Sequence, residues 1–79
     1  MKVRIHISLK NGVLDPQGKA IENSLTNLGF DSVKNVRQGK FIELEINEDD
    51  PVRAHNQATD MCEKLLANTV IENYQVDFD

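Results

Sequence analysis

The side chains able to do covalent or acid–base chemistry in this 79-residue chain are few. Cys62 is its single thiol, and His6 and His55 are its two histidines. A cysteine nucleophile needs a base beside it. Cys62 instead falls on an apolar helical stripe between Met61 and Leu65, the setting of a small buried hydrophobe. His6 alternates outward on a strand-like segment, and His55 lies in the first turns of a helix-like one. Neither has metal-ligand spacing, so surface polar contact is the expected role of both. Glu43 and Glu45 project from one face of an alternating strand. Paired carboxylates do acid–base work in clefts, but here an open charged face that pairs with Lys2, Arg4 or another chain is expected. Glu48-Asp49-Asp50 reads as a solvated turn and helix cap, without the spaced ligands of a calcium loop. Gly12, Gly18, Gly29 and Gly39 form no phosphate-loop pattern. The residue types and spacings thus define no catalytic, cofactor-binding or metal site.

Composition narrows the function classes further. A chain of 79 residues is one domain, spanning 1–79. At this size folding hides only about 60–65% of the surface the unfolded chain exposes, so the core is thin and a second protein layer is a natural way to complete it. One cysteine allows no intrachain disulfide and suits a reducing compartment. The net charge is −4 and the nine basic residues are scattered, which disfavours a nucleic-acid partner. No apolar run approaches the roughly 20 residues needed to span a membrane. Met1-Lys2 passes straight into a strand-like alternation with no signal-peptide core. A cytoplasmic location is expected.

The elements that position these residues follow from periodicity. Val3, Ile5, Ile7 and Leu9 alternate with Lys2, Arg4, His6 and Ser8, giving a strand with one buried face. Asp15-Pro16 supplies a cap and a first helical residue. Ala20, Ile21, Ser24, Leu25 and Leu28 continue as one stripe, and Gly29 suits a left-handed stop, so a helix is predicted over Pro16–Leu28. Val33–Asn47 is extended, with Gly39 either in a tight turn between two strands or in a bulge of one bent strand. Asp50-Pro51 repeats the helix-start logic. A stripe of Val52, His55, Ala58, Thr59, Cys62, Leu65 and Leu66 predicts a second helix over Pro51–Ala67, with Asn68 as a left-handed cap. Val70–Phe78 is a last strand, with Tyr74, Val76 and Phe78 on one face. The expected fold class is an α+β two-layer sandwich: an antiparallel sheet of three or four strands with two helices on one face, ferredoxin-like. The other sheet face, carrying Lys2, Arg4, His6, Phe41, Glu43 and Glu45, is a candidate interface.

Three segments carry a more specific signal: Leu14-Asp15-Pro16-Gln17-Gly18-Lys19-Ala20-Ile21, Val36-Arg37-Gln38-Gly39-Lys40-Phe41-Ile42-Glu43-Leu44, and the run from Cys62 to Tyr74. In this order and chain length they resemble the PurS family, the small subunit of phosphoribosylformylglycinamidine (FGAM) synthase, from Val3 to about Val76. The resemblance implies a complex that converts formylglycinamide ribonucleotide, glutamine and ATP to formylglycinamidine ribonucleotide, glutamate, ADP and phosphate. It implies a PurL-type synthetase partner that holds ATP and Mg, a PurQ-type glutaminase partner, and self-association as a dimer or tetramer. The small subunit is then a non-catalytic bridge that aids ammonia transfer and holds no cofactor. Asp15, Gln17, Gly18, Arg37, Gly39, Lys40, Asn68 and Thr69 match the family's segments in exposed polar turns, which makes them the partner-contact candidates. For Asp15 and Asn68, helix capping is the plainer reading.

Two alternatives stand beside this one. A free-standing ferredoxin-like module that binds a small metabolite would show convergent polar groups and glycines at a dimer edge. An independent small enzyme would depend on Cys62 or a histidine.

Overall fold

The computed structural model describes residues 1–78. Its elements run β1 (Lys2–Leu9), α1 (Pro16–Asn27), β2 (Gly39–Glu45), α2 (Pro51–Met61), a π-helical turn (Cys62–Leu66) and β3 (Glu72–Phe78). The strands form one antiparallel sheet in the order β2-β1-β3. The register sets Ile5 opposite Ile42 and Val76, which places Val3, Ile5, Ile7, Ile42, Leu44, Tyr74, Val76 and Phe78 on a common face. The expected antiparallel sheet with two helices is present, and the helices use it differently.

α2 lies on the apolar face. Its buried residues are Ala54 and Ala58, continued by Cys62 one turn on. The stripe expected from the sequence ran through Val52 and Leu65, yet these are 67% and 83% exposed. The helix is rotated so that small residues meet the sheet. Ala54, Ala58 and Cys62 at four-residue spacing form the buried stripe, and Ala58 and Cys62 join the fully buried Val3 and Ile5 in the core cluster. The helix does not run on to Ala67. It ends at Met61 and passes into the π turn, closed by the Ala67 N–H donating to the Cys62 carbonyl at 3.0 Å.

α1 starts as predicted. Asp15 caps it and Pro16 opens it, and Gly29 leaves it in the left-handed region at φ 100°. It contributes nothing to the core cluster, which draws on β1, β2, Ile46, α2, the π turn, Ala67 and β3 and on no residue between Leu9 and Phe41. Topology explains this. β1 and β2 are antiparallel neighbours, so the chain between them leaves and returns at one end of the sheet and has no need to cross its face. α1 and residues 28–38 form an arm beyond that end. An eight-residue strand spans about 26 Å and a twelve-residue helix about 18 Å, and end to end they account for most of the molecule's 48 Å long axis. The radius of gyration of 15.9 Å exceeds the roughly 12 Å of a compact chain of this length.

The open choice at Gly39 resolves to neither alternative. Residues 33–38 are not strand, and Gly39 opens β2. A Cβ there would run into the Ile7 carbonyl, so the glycine serves close approach to β1.

Candidate partner-contact site

The eight residues singled out in the sequence are gathered at the end of the sheet from which the arm springs. Asp15 is their centre. Its side chain is built into the fold, with the residue only 7% exposed. One carboxylate oxygen accepts the Gly18 N–H at 2.8 Å, and the other accepts the Gln38 N–H at 2.8 Å. The same group therefore caps α1 and ties it to the start of β2. The backbone N–H of Gln38, then that of Gly18, hold the Asp15 carboxyl below its ordinary pKa. Gly18 is buried, and the Val36 carbonyl approaches it so closely that a Cβ would collide with it.

Arg37 completes the clip. It donates to the Val13 carbonyl at 2.9 Å and to the Lys10 carbonyl at 3.1 Å. Glu22 adds a further tie, accepting the Val36 N–H at 3.3 Å and pairing with Lys19 at 3.2 Å. Lys19 and that backbone N–H keep the Glu22 carboxyl acidic. Gln17 accepts from the Gln38 side chain at 2.9 Å. Across the sheet end, Lys40 pairs with Glu72 at 3.5 Å, and Glu72 accepts the Asn68 N–H at 2.7 Å. A depression of about 160 Å³ lies among these groups, lined by Asp15, Gln17, Gln38, Lys40 and Glu72 and also by Ile7 and Leu9.

The expected left-handed cap at Asn68 is a correction. Asn35, at φ 57°, is the non-glycine residue in that region among the described residues. Asn68 instead builds the turn by hydrogen bonding. Its side chain accepts the Val70 N–H, and its carbonyl accepts those of Ile71 and Glu72. Thr69 lies in the same turn. Gln38, Glu72 and Glu22 carry much of this end and were not among the sequence candidates. Gln38 stands inside the second quoted segment and Glu72 inside the third, so position was the available signal.

The remaining chemical residues lie elsewhere. Cys62 is fully buried, and burial pushes its thiol pKa up. His55 stands 6.2 Å from the Phe78 ring. On the outer sheet face His6 lies 3.5 Å from Asp77 and 4.9 Å from the Phe41 ring, and Lys2 pairs with Glu43 at 3.3 Å. Among the described residues no three His, Cys, Asp or Glu side chains gather to hold a metal ion, and no helix is long and apolar enough to cross a membrane.

An open three-stranded sheet with an outstretched arm and a tightly tied end defines a small α+β domain with no catalytic constellation among the described residues. Residues 2–79 match the family described as PurS, phosphoribosylformylglycinamidine (FGAM) synthase, and the chain belongs to that family. It is 51% identical over 71 residues to the phosphoribosylformylglycinamidine synthase subunit PurS of Synechocystis sp., covering 90% of this chain and 71% of that one. The structure of B. subtilis PurS superposes with a TM-score of 0.87 at 46% identity, covering 96% of this chain and 94% of that one. A chain in the structure of PurLQS from Thermotoga maritima does so with a TM-score of 0.87 at 36% identity, covering 96% and 93%.

Proposed function

We propose that this chain is the non-catalytic assembly subunit of FGAM synthase, bridging a PurL-type synthetase and a PurQ-type glutaminase and aiding ammonia transfer between them. One observation carries the contact assignment: Asp15, Gln17, Gly18, Arg37, Gly39, Lys40, Asn68 and Thr69, far apart in sequence, share one end of the sheet. The match to a chain in a PurLQS structure supports the partner classes. Within the end, the roles divide. Asp15, Gly18, Arg37 and Gly39 shape the backbone, while Gln17, Lys40 and the Asn68-Thr69 turn offer polar groups to a partner. Leu14, Leu65 and Val70, 78%, 83% and 81% exposed, give the nearby loops an apolar component, and apolar contact flanked by polar groups suits a protein interface. ATP and Mg bind the large subunit, and the chain itself self-associates. It works in the cytoplasm, where a lone reduced thiol such as Cys62 persists.

Reconstitution tests this. Glutamine-dependent synthesis is expected only with all three subunits present, and the Cys62→Ala chain supports it as well as the native one. Full glutamine-dependent activity from synthetase and glutaminase alone would overturn the proposal.

A further inference from the structure

The depression at the tied end of the sheet carries a charge imbalance. Its lining includes Leu9, Asp15, Gln17, Gln38, Lys40 and Glu72. Two of these groups are carboxylates held close to the protein interior. Asp15 is 7% exposed, and the Glu72 side chain is 11% exposed. Lys40 is the cation of the lining. Its side chain is 59% exposed, and its Nζ stands 3.5 Å from Glu72, longer than a charge-assisted hydrogen bond. Arg37, the cation on the other side of Asp15, turns its guanidinium to the Val13 and Lys10 carbonyls and lines the neighbouring hollow. The carboxylates are fixed in place. Both Asp15 oxygens accept backbone N–H groups, and one Glu72 oxygen accepts the Asn68 N–H at 2.7 Å. The lysine, on a flexible and hydrated stem, can swing aside.

We infer that this depression is a socket for one arginine side chain of a partner subunit, whose guanidinium takes the place of Lys40 on Glu72. The inference rests on the assembly role proposed above and names the chemistry of its contact. Charge selects a cation, because two carboxylates face one mobile ammonium, and a counter-charge acts more strongly where water is partly excluded. Size selects a side chain. A volume of about 160 Å³ is close to the ~150 Å³ that takes a benzene ring, so a planar guanidinium and its adjoining methylene fit and a nucleotide does not. The walls select arginine. Half-buried Leu9 gives the stem an apolar side, and the Gln17 and Gln38 amides, joined at 2.9 Å, stand in the same lining as Glu72. A guanidinium fork can meet a carboxylate and an amide oxygen at once, and it gives up its hydration more readily than an ammonium. Arginine anchors seated in such pockets often dominate interface energies.

Glu72→Gln tests the inference, because glutamine keeps an acceptor for the Asn68 N–H and removes the charge. Titrated against the synthetase and glutaminase subunits, the variant chain should associate at least about 10-fold more weakly than the native chain. A second measurement needs no partner. N-acetylarginine amide added to the native full chain should shift the Gln38 and Asn68 amide resonances and saturate in roughly the millimolar range. N-acetylcitrulline amide, neutral and of nearly the same shape, should leave them in place, and Glu72→Gln should abolish the arginine response. A native chain that joins neither partner would overturn the assembly role itself. Association of Glu72→Gln equal to that of the native chain, or equal responses to arginine and citrulline, or no response to either, would overturn the socket and leave the assembly role standing. A response to N-acetyllysine amide as strong as that to the arginine compound would overturn the choice of arginine.

Discussion

The two connections between strands make different kinds of structure from similar material. Both begin with an Asp-Pro helix start, at Asp15 and Asp50, and both helices carry an apolar stripe. α2 joins β2 to β3, which are parallel to each other across β1, so its helix must cross the sheet and its small face is buried. α1 joins β1 to β2, which are antiparallel neighbours, so its helix is released from the sheet and its larger side chains stay bare. Strand direction, not helix composition, decides which stripe becomes core. Less apolar bulk faces inward on α2 than outward on α1, which is the reverse of what a lone globular domain would select.

The largest expected effect breaks the body and spares the arm. Ile5→Ala removes a fully buried side chain from the middle strand and should cost about 3 kcal/mol in urea unfolding. In a dissociated chain Leu28→Ala should cost under about 0.5 kcal/mol, as for an exposed position. Equal losses in the monomer would mean that the arm is packed on its own sheet.

Next come the two glycines that mark the junction. Gly39→Ala drives a Cβ into the Ile7 carbonyl and Gly18→Ala drives one into the Val36 carbonyl, each with an expected cost of about 1–3 kcal/mol. They should differ in reach. Gly39→Ala perturbs the β1–β2 ladder, whereas Gly18→Ala loosens the arm root, read as faster amide exchange at Gln38 with β1 still protected.

Asp15→Asn separates the clip from the cap. An amide oxygen can still accept the Gly18 N–H, but its NH₂ then faces the Gln38 N–H, donor against donor. A fall in Tm on the order of 5 °C is expected at neutral pH. The native Asp15 pKa is depressed in the folded state, so its stabilisation is fully present above the unfolded value near about 4 and is lost as pH falls through the folded value. Glu22 acts in the same sense. The native-minus-variant difference in Tm should therefore shrink below about pH 4. A difference independent of pH from 7 to 3 would remove the ionised carboxylate from the account.

Much of this was legible in the sequence, and the gaps have physical causes. Alternation at Val3, Ile5 and Ile7 gave the central strand because one face is buried and the other is not. Both helix starts were legible because capping is local chemistry. The burial face of α2 was not, since Ala54, Ala58 and Cys62 are selected by how closely a helix can approach a sheet, and hydrophobicity alone favours Val52 and Leu65. The extended reading of residues 33–38 failed as strand because no neighbour lies beyond the sheet's end to pair with them. Asn adopts the left-handed conformation readily, which favours a cap at Asn68 on sequence alone, but its side chain accepts the Val70 amide in a turn instead. The candidate contact residues were legible only through family resemblance. Nothing local says that Asp15, Arg37 and Asn68 share an end; antiparallel register brings them there.

The smallest effect concerns the outer sheet face. Lys2 and Glu43 pair at 3.3 Å with about half of each side chain exposed. Such a pair contributes roughly 0–1 kcal/mol and is screened by salt. In the isolated chain Glu43→Gln should therefore change stability by less than about 0.5 kcal/mol, and the change should vanish near 0.5 M salt. The arm and the outer face are both exposed in one copy, yet the arm is apolar and the face is paired charge, so assembly should treat them differently. Burying paired charges yields little net gain, whereas burying Leu28 and Phe30 removes apolar surface from water. Glu43→Gln should leave the sedimentation mass of the chain unchanged. A lower mass for Glu43→Gln would reverse the comparison and give the charged face a part in self-association.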